Sequence, residues 1–223
     1  MTKKAPQPIG PRRSLSRRVA KANPLPVLYI FSEGKVTEPE YISSFYRDCC
    51  KVRRIALAPI IKGAGVPMTL VEKCIAKKTD LLRESRMDRL DKDSYIWAVF
   101  DVDEHPKLDE AIALAARNGI HCAVSNPCIE IWGLMHISQF ERPSTRKQAQ
   151  VELARQMPGY HHDDSPVFPW NLCFKNVGRA IQNSMTVMQR RKDEGMDFPR
   201  GNPTSSFHEL LNAIQGDESQ EKK

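Results

Sequence analysis

Three short apolar runs, each stopped abruptly by polar residues, constrain this chain more than anything else in it. Residues 27–31 run into Ser32-Glu33-Gly34, residues 95–100 into Asp101-Val102-Asp103, and residues 121–125 into Asn126-Pro127. Continuous apolar runs of this length suit strands covered on both faces. Between the second and third lies a helical pattern over 109–118, with Gly119 placed to end it. Strand, short helix, strand is a βαβ unit, which brings parallel pairing and a right-handed crossover. The expected fold is therefore α/β, a parallel sheet flanked by helices.

Further elements follow from the same patterns. A helix starts near Thr37, where Thr37 and Glu40 have capping-box spacing and Pro39 falls in the first turn. Residues 55–61 read as another strand, Lys62-Gly63-Ala64-Gly65 as a loop, and 68–89 as an amphipathic helix. A helix containing Trp132 is expected over 128–140. Beyond residue 140 the pattern is mainly helical, over 145–157, 172–192 and 206–215, and Ser206 and Glu209 repeat the capping-box spacing. The organisation expected is a basic tail over 1–24, an α/β core over 25–140, a helical extension of the same unit over 141–215, and a short tail over 216–223. A chain of 223 residues fits one such unit.

Charge narrows the function classes. Residues 1–24 hold seven basic residues and no acidic one, which equals the formal net charge of +7, so residues 25–223 are balanced. The tail's composition favours disorder and can supply sequence-independent attraction to phosphate, or simply solubility. No stretch is apolar for long enough to span a membrane. The six cysteines show no Cys-x-x-Cys spacing and several sit in apolar surroundings, which points to a reduced, cytoplasmic protein without structural zinc.

In an open parallel sheet, functional groups gather beyond the carboxyl ends of the strands. Glu33, Asp101, Asp103 and Asn126 all fall there, and Glu130 follows on the next helix. Asp101 and Asp103 point to one side if the strand continues, and two carboxylates so close repel unless a cation lies between them. Mg²⁺, or Mn²⁺, is the hard cation such oxygens take, and it can activate a water and steady a leaving oxygen. Glu33 either completes that site or acts as general base or acid. Glu38 is the candidate for a second metal, whereas Glu40 reads as a helix cap. Glu130 sits between Ile129 and Ile131, where a charge needs a partner or a metal. Lys35 either contacts phosphate or is a loop lysine, and Asn126 either orients a phosphate or a water or merely ends its strand. His136 reads as a partly buried core histidine, and His161-His162-Asp163-Asp164 as a solvated loop.

Strand-Glu-Gly followed by strand-Asp-x-Asp resembles the TOPRIM fold of topoisomerases, primases and overcoming-lysogenization-defect nucleases. More specifically, residues 31–41 (from Phe31-Ser32-Glu33-Gly34-Lys35 to Pro39-Glu40-Tyr41), 125–136 (from Ser125-Asn126-Pro127 to His136) and 202–210 (from Asn202-Pro203-Thr204 to Leu210) resemble the RloB-like family. Val102 departs from that family's form, which favours a polar or basic residue there. The resemblance implies a prokaryotic defence setting and metal-dependent cleavage of DNA or RNA, tRNA included. It further implies a partner ABC-type ATPase that restrains the nuclease, and it leaves self-association open. Two other readings stand beside it: a binding or sensor subunit that is silent until such a partner acts, and a phosphoryl or nucleotidyl transferase built on the same site.

Overall fold

Alternation along the strands sets the architecture. The computed structural model describes residues 25–52, 54–88, 95–102 and 105–216. Strands β1 (Val27–Ser32), β2 (Ala56–Leu57), β3 (Tyr95–Asp101) and β4 (His121–Asn126) are parallel. A short β5 (Thr204–Ser205) closes the edge antiparallel to β4, giving the order β2-β1-β3-β4-β5. The sheet is thus mostly parallel rather than wholly so. Two residues bounded by Pro203 and the next helix carry no periodic signal, which is why β5 escapes a reading of the sequence.

Successive side chains on a strand point to opposite faces, and the core divides accordingly. Leu28, Ile30, Trp97, Val99 and Ala123 meet one face, covered by α1 (Thr37–Cys49), α4 (Glu130–Met135) and α8 (Phe207–Gln215). The C-terminal helices α5 (Arg146–Gln156), α6 (Trp170–Phe174) and α7 (Val177–Asp193) add Leu153, Cys173 and Val187 to that same layer. Phe31, Ile96, Ala98, Phe100 and Val124 meet the other face, covered by α2 (Pro67–Asp88) and α3 (Leu108–Arg117). Cys50, Cys74, Cys128 and Cys173 are buried. Among the described residues no helix is long and apolar enough to cross a membrane.

Several expected boundaries move for local reasons. The strand expected over 55–61 shrinks to β2 and a single bridge between Phe31 and Ile61. Pro59 lies between them and has no N–H to give the ladder. The helix expected over 128–140 is only α4, because His136 and Ile137 bond three residues back, to Gly133 and Leu134 at 3.2 and 2.9 Å, and tighten its end. The helix expected over 172–192 is split into α6 and α7, and Asn176 turns its side-chain amide onto the Leu172 carbonyl at 2.9 Å.

Neither proposed capping box forms. Thr37 is inside α1 and its hydroxyl donates to the Pro166 carbonyl at 2.6 Å, while Glu40 pairs with Lys62 at 3.1 Å. Ser206 instead serves the sheet: its hydroxyl accepts from the Val124 amide at 3.0 Å. A complete capping box does open α5, between Thr145 and Gln148.

Phe45 of α1 is fully buried in the larger layer. Phe45→Ala is expected to lower unfolding stability by about 3–5 kcal/mol in urea titration. A loss below about 0.5 kcal/mol, the range of surface substitutions, would mean that α1 does not pack there.

Candidate active site

The carboxyl ends of β1 and β3 lie side by side, and the backbone ties their acids together. Glu33 follows β1 directly, and its amide donates to the Val99 carbonyl of β3 at 2.9 Å. Its carboxylate then reaches across the strand ends. Oε2 accepts from the Asp101 amide at 3.3 Å, and Oε1 lies 3.1 Å from His105 Nε2. Asp101 ends β3, is nearly buried, and pairs through Oδ2 with an Arg146 guanidinium nitrogen at 3.2 Å. Burial pushes the Asp101 carboxyl well above the usual carboxylate range, with Glu38 adding to the push and Arg146 opposing it.

Glu38 is buried in the first turn of α1. Burial raises its carboxyl to about 7, helped by the charges of Glu130 and Glu33 and opposed by its own amide and that of Gly34. Its carboxylate packs so closely on Gly34 that any side chain at residue 34 would overlap it. The glycine of the Ser32-Glu33-Gly34 turn is required for that approach. Gly63 lies beneath the Lys35 stem with a φ of +60°, a left-handed conformation that favours glycine.

Glu130, 2% exposed, opens α4 and has its partners within the protein. The Tyr160 hydroxyl donates to its Oε1 at 2.6 Å, and His162 Nδ1 lies 2.9 Å from the same oxygen. The Gln150 side-chain amide is 3.2 Å from His162 Nε2. With that amide donating to Nε2, the ring proton sits on Nδ1 and is given to Glu130. Burial and the Glu130 charge together raise the Tyr160 hydroxyl, so it stays a donor.

These groups surround one pocket of about 240 Å³, lined by Glu33, Lys35, Glu38, Asp101, Glu130, Arg146 and His162 among others. Of the expected site residues, Glu33, Lys35, Glu38, Asp101 and Glu130 therefore converge. Asp103 lies outside the described residues, as do the tails over 1–24 and 217–223. Asn126 does not line the pocket: its amide donates to the Pro199 carbonyl at 2.8 Å, which makes it a latch for the chain leading to β5. His136 is a fully enclosed core histidine, between the Tyr41 hydroxyl and the Trp132 carbonyl at 2.9 Å each, and burial lowers it to about 4.

Arg146 and His162 are absent from the expected site residues. His162 stands in the loop expected to be solvated, and its side chain is 41% exposed, but Glu130, a charge in an apolar turn, was the signal that some partner must reach it. Arg146 carries no such signal. Among the described residues, no three His, Cys, Asp or Glu side chains form a ready-made cation cluster.

The fold and the pocket define an α/β protein with a polar, carboxylate-rich pocket beyond the carboxyl edge of a mostly parallel sheet. The chain belongs to the RloB-like protein family, whose family model matches residues 28–214. No curated protein and no solved structure matches it.

Proposed function

We propose that this protein is a Mg²⁺- or Mn²⁺-dependent nuclease of the TOPRIM type, cleaving phosphodiesters of DNA or RNA in prokaryotic anti-phage defence. The observation that carries this reading is the joining of Glu33 and Asp101 at adjacent strand ends, in one pocket with Lys35 and Arg146. The defence setting and control by an ABC-type ATPase rest on the resemblance to the family.

The donor set fits a hard divalent cation. Carboxylate oxygens are its preferred ligands, and Glu38 and Asp101 are held above their ordinary range by burial and by their neighbours' negative charge. Glu33 and Asp101 would hold the cation, with Glu38 behind them. When bound, the cation supplies neutralising charge and a more acidic water. Lys35 and Arg146 attract and orient the phosphate. The Glu33 carboxylate, fixed by the Asp101 amide and His105, either binds the cation or takes the proton of the attacking water. Glu130 holds His162 at the pocket wall and has its Oε1 already occupied, so it acts as a positioning group in this scheme.

One observation favours a site that is silent until a partner engages it: Arg146 already occupies Asp101. Assays on DNA, RNA and tRNA with Mg²⁺ or Mn²⁺, with and without an ABC-type ATPase partner, separate the readings. Strand scission that stops on addition of EDTA is expected. Metal-dependent extension or labelling of the strand instead would identify a transferase. No reaction under any of these conditions would leave a binding subunit.

A further inference from the structure

Arg146 enters the pocket from a helix start that is fastened at several points. It is the first residue of α5, directly after the capping-box residue Thr145. Thr145 Oγ1 accepts from the Gln148 amide at 3.3 Å, and the Thr145 amide donates to Gln148 Oε1 at 2.9 Å. One residue earlier, Ser144 is clasped at two points by Asn202: its amide donates to Oδ1 at 3.1 Å, and its carbonyl accepts from Nδ2 at 2.9 Å. The Cys128 thiol reaches the Arg146 carbonyl at 4.0 Å. Asn202 is itself anchored, because the chain runs from it through Pro203 into β5, which pairs with Ser125 and Asn126. Ser125 is the register neighbour of Asp101. The edge strand thus carries Asn202 to the same end of the sheet as the acid that Arg146 meets.

We propose that Arg146 is the pocket's resident counter-charge, which competes with a divalent cation for Asp101 and, once displaced, takes the substrate phosphate, and that Asn202 positions it for both tasks. This rests on the metal-binding reading of the same pocket. The Asp101 side chain is 12% exposed and the Arg146 side chain 36%, so the pair is only partly screened by water. The guanidinium holds Asp101 Oδ2, and a divalent cation arriving at the same carboxylate meets that positive charge, so each weakens the other's hold on Asp101. Displacement leaves the guanidinium on an anchored helix start, in a pocket that also contains Lys35 and His162. Its planar fork matches two phosphate oxygens in a way a lysine does not. The segment from Asn202 to Ser206, which is not among the residues lining the pocket, thereby acquires a role: it sets where α5 begins.

The test is calorimetric titration of the full chain with Mn²⁺, followed by titration of the Mn²⁺-loaded protein with thymidine monophosphate. Arg146→Gln is expected to bind Mn²⁺ roughly tenfold more tightly than the wild type. It should bind the nucleotide roughly tenfold more weakly, as for loss of one charge-assisted contact. Asn202→Ala should shift both affinities in the same directions by smaller factors, which a merely structural residue would not do. Arg146→Lys keeps the charge but replaces the fork with a single ammonium, should fall between, and carries the test if the glutamine variant does not fold. Wild type and Arg146→Gln binding Mn²⁺ equally, with binding lost in Asp101→Asn, would overturn the competition and leave the metal site standing. Absence of Mn²⁺ binding in every variant and in the wild type would overturn both.

Discussion

Asp101→Asn is expected to reduce metal-dependent strand cleavage by about a thousandfold, the scale of removing one preorganised charge from a reacting centre. The melting temperature should stay within a few degrees of the wild type. The substitution keeps the shape of the side chain at the end of β3 and removes only its charge. Asp101 is buried, so its ionised form carries a desolvation cost that Asn lacks. What is lost in return is the ion pair with Arg146, whose side chain is exposed enough to be hydrated. The Asp101 amide still donates to Glu33, because that bond belongs to the backbone. Initial rates and thermal melts on the same preparation decide the matter. Full activity in the variant would remove Asp101 from the site, and joint loss of activity and fold would make it structural.

Glu38→Gln should make the metal-free protein's stability less dependent on pH. Glu38 is raised from 4.5 to about 7 in the folded protein. A carboxyl with a raised folded-state value stabilises the fold below its unfolded value and loses that contribution as pH rises through the folded one. The window is therefore from about 4.5 to about 7. Gln stays neutral throughout, so the variant should match the wild type near pH 5 and exceed it near pH 8, by up to about 3 kcal/mol. His136 and His208 work in the opposite sense, since burial lowers both to about 4 and stability is lost as pH falls from 6.5 toward that value. They are common to both proteins and cancel in the comparison. Adding Mg²⁺ at pH 8 should narrow the gap, because a bound cation removes the cost of ionised Glu38. A gap that is the same at pH 5 and pH 8 would show that Glu38 does not titrate in this window.

Much of the site was legible because it lies where strands stop. A buried run followed by Glu33 or Asp101 announces both the strand and the edge at which its acid emerges. Glu130 was legible as a need rather than a contact: an acid between two isoleucines requires a partner, yet nothing local says that Tyr160 and His162, about thirty residues on, will supply it. Arg146 was invisible for a related reason. It sits in an unremarkable run of polar residues, and only the docking of α5 brings it to a strand end forty-five residues earlier in the chain. The capping boxes show the converse error. Spacing identifies Thr37 and Ser206 as side chains able to bond a backbone group, but the carbonyl of Pro166 and the amide of Val124 compete for them and win.

The two layers of the sheet divide the labour unequally. Among the described residues, those lining the pocket come from the strand ends, from α1, α4 and α5, or from the segment around His162, and none comes from α2 or α3. The pocket is therefore one-sided. The outer surface of α2 and α3 is where a fluorophore, an affinity tag or a surface-attachment point can be placed with least disturbance to the pocket, which makes it the natural handle for following this protein in solution.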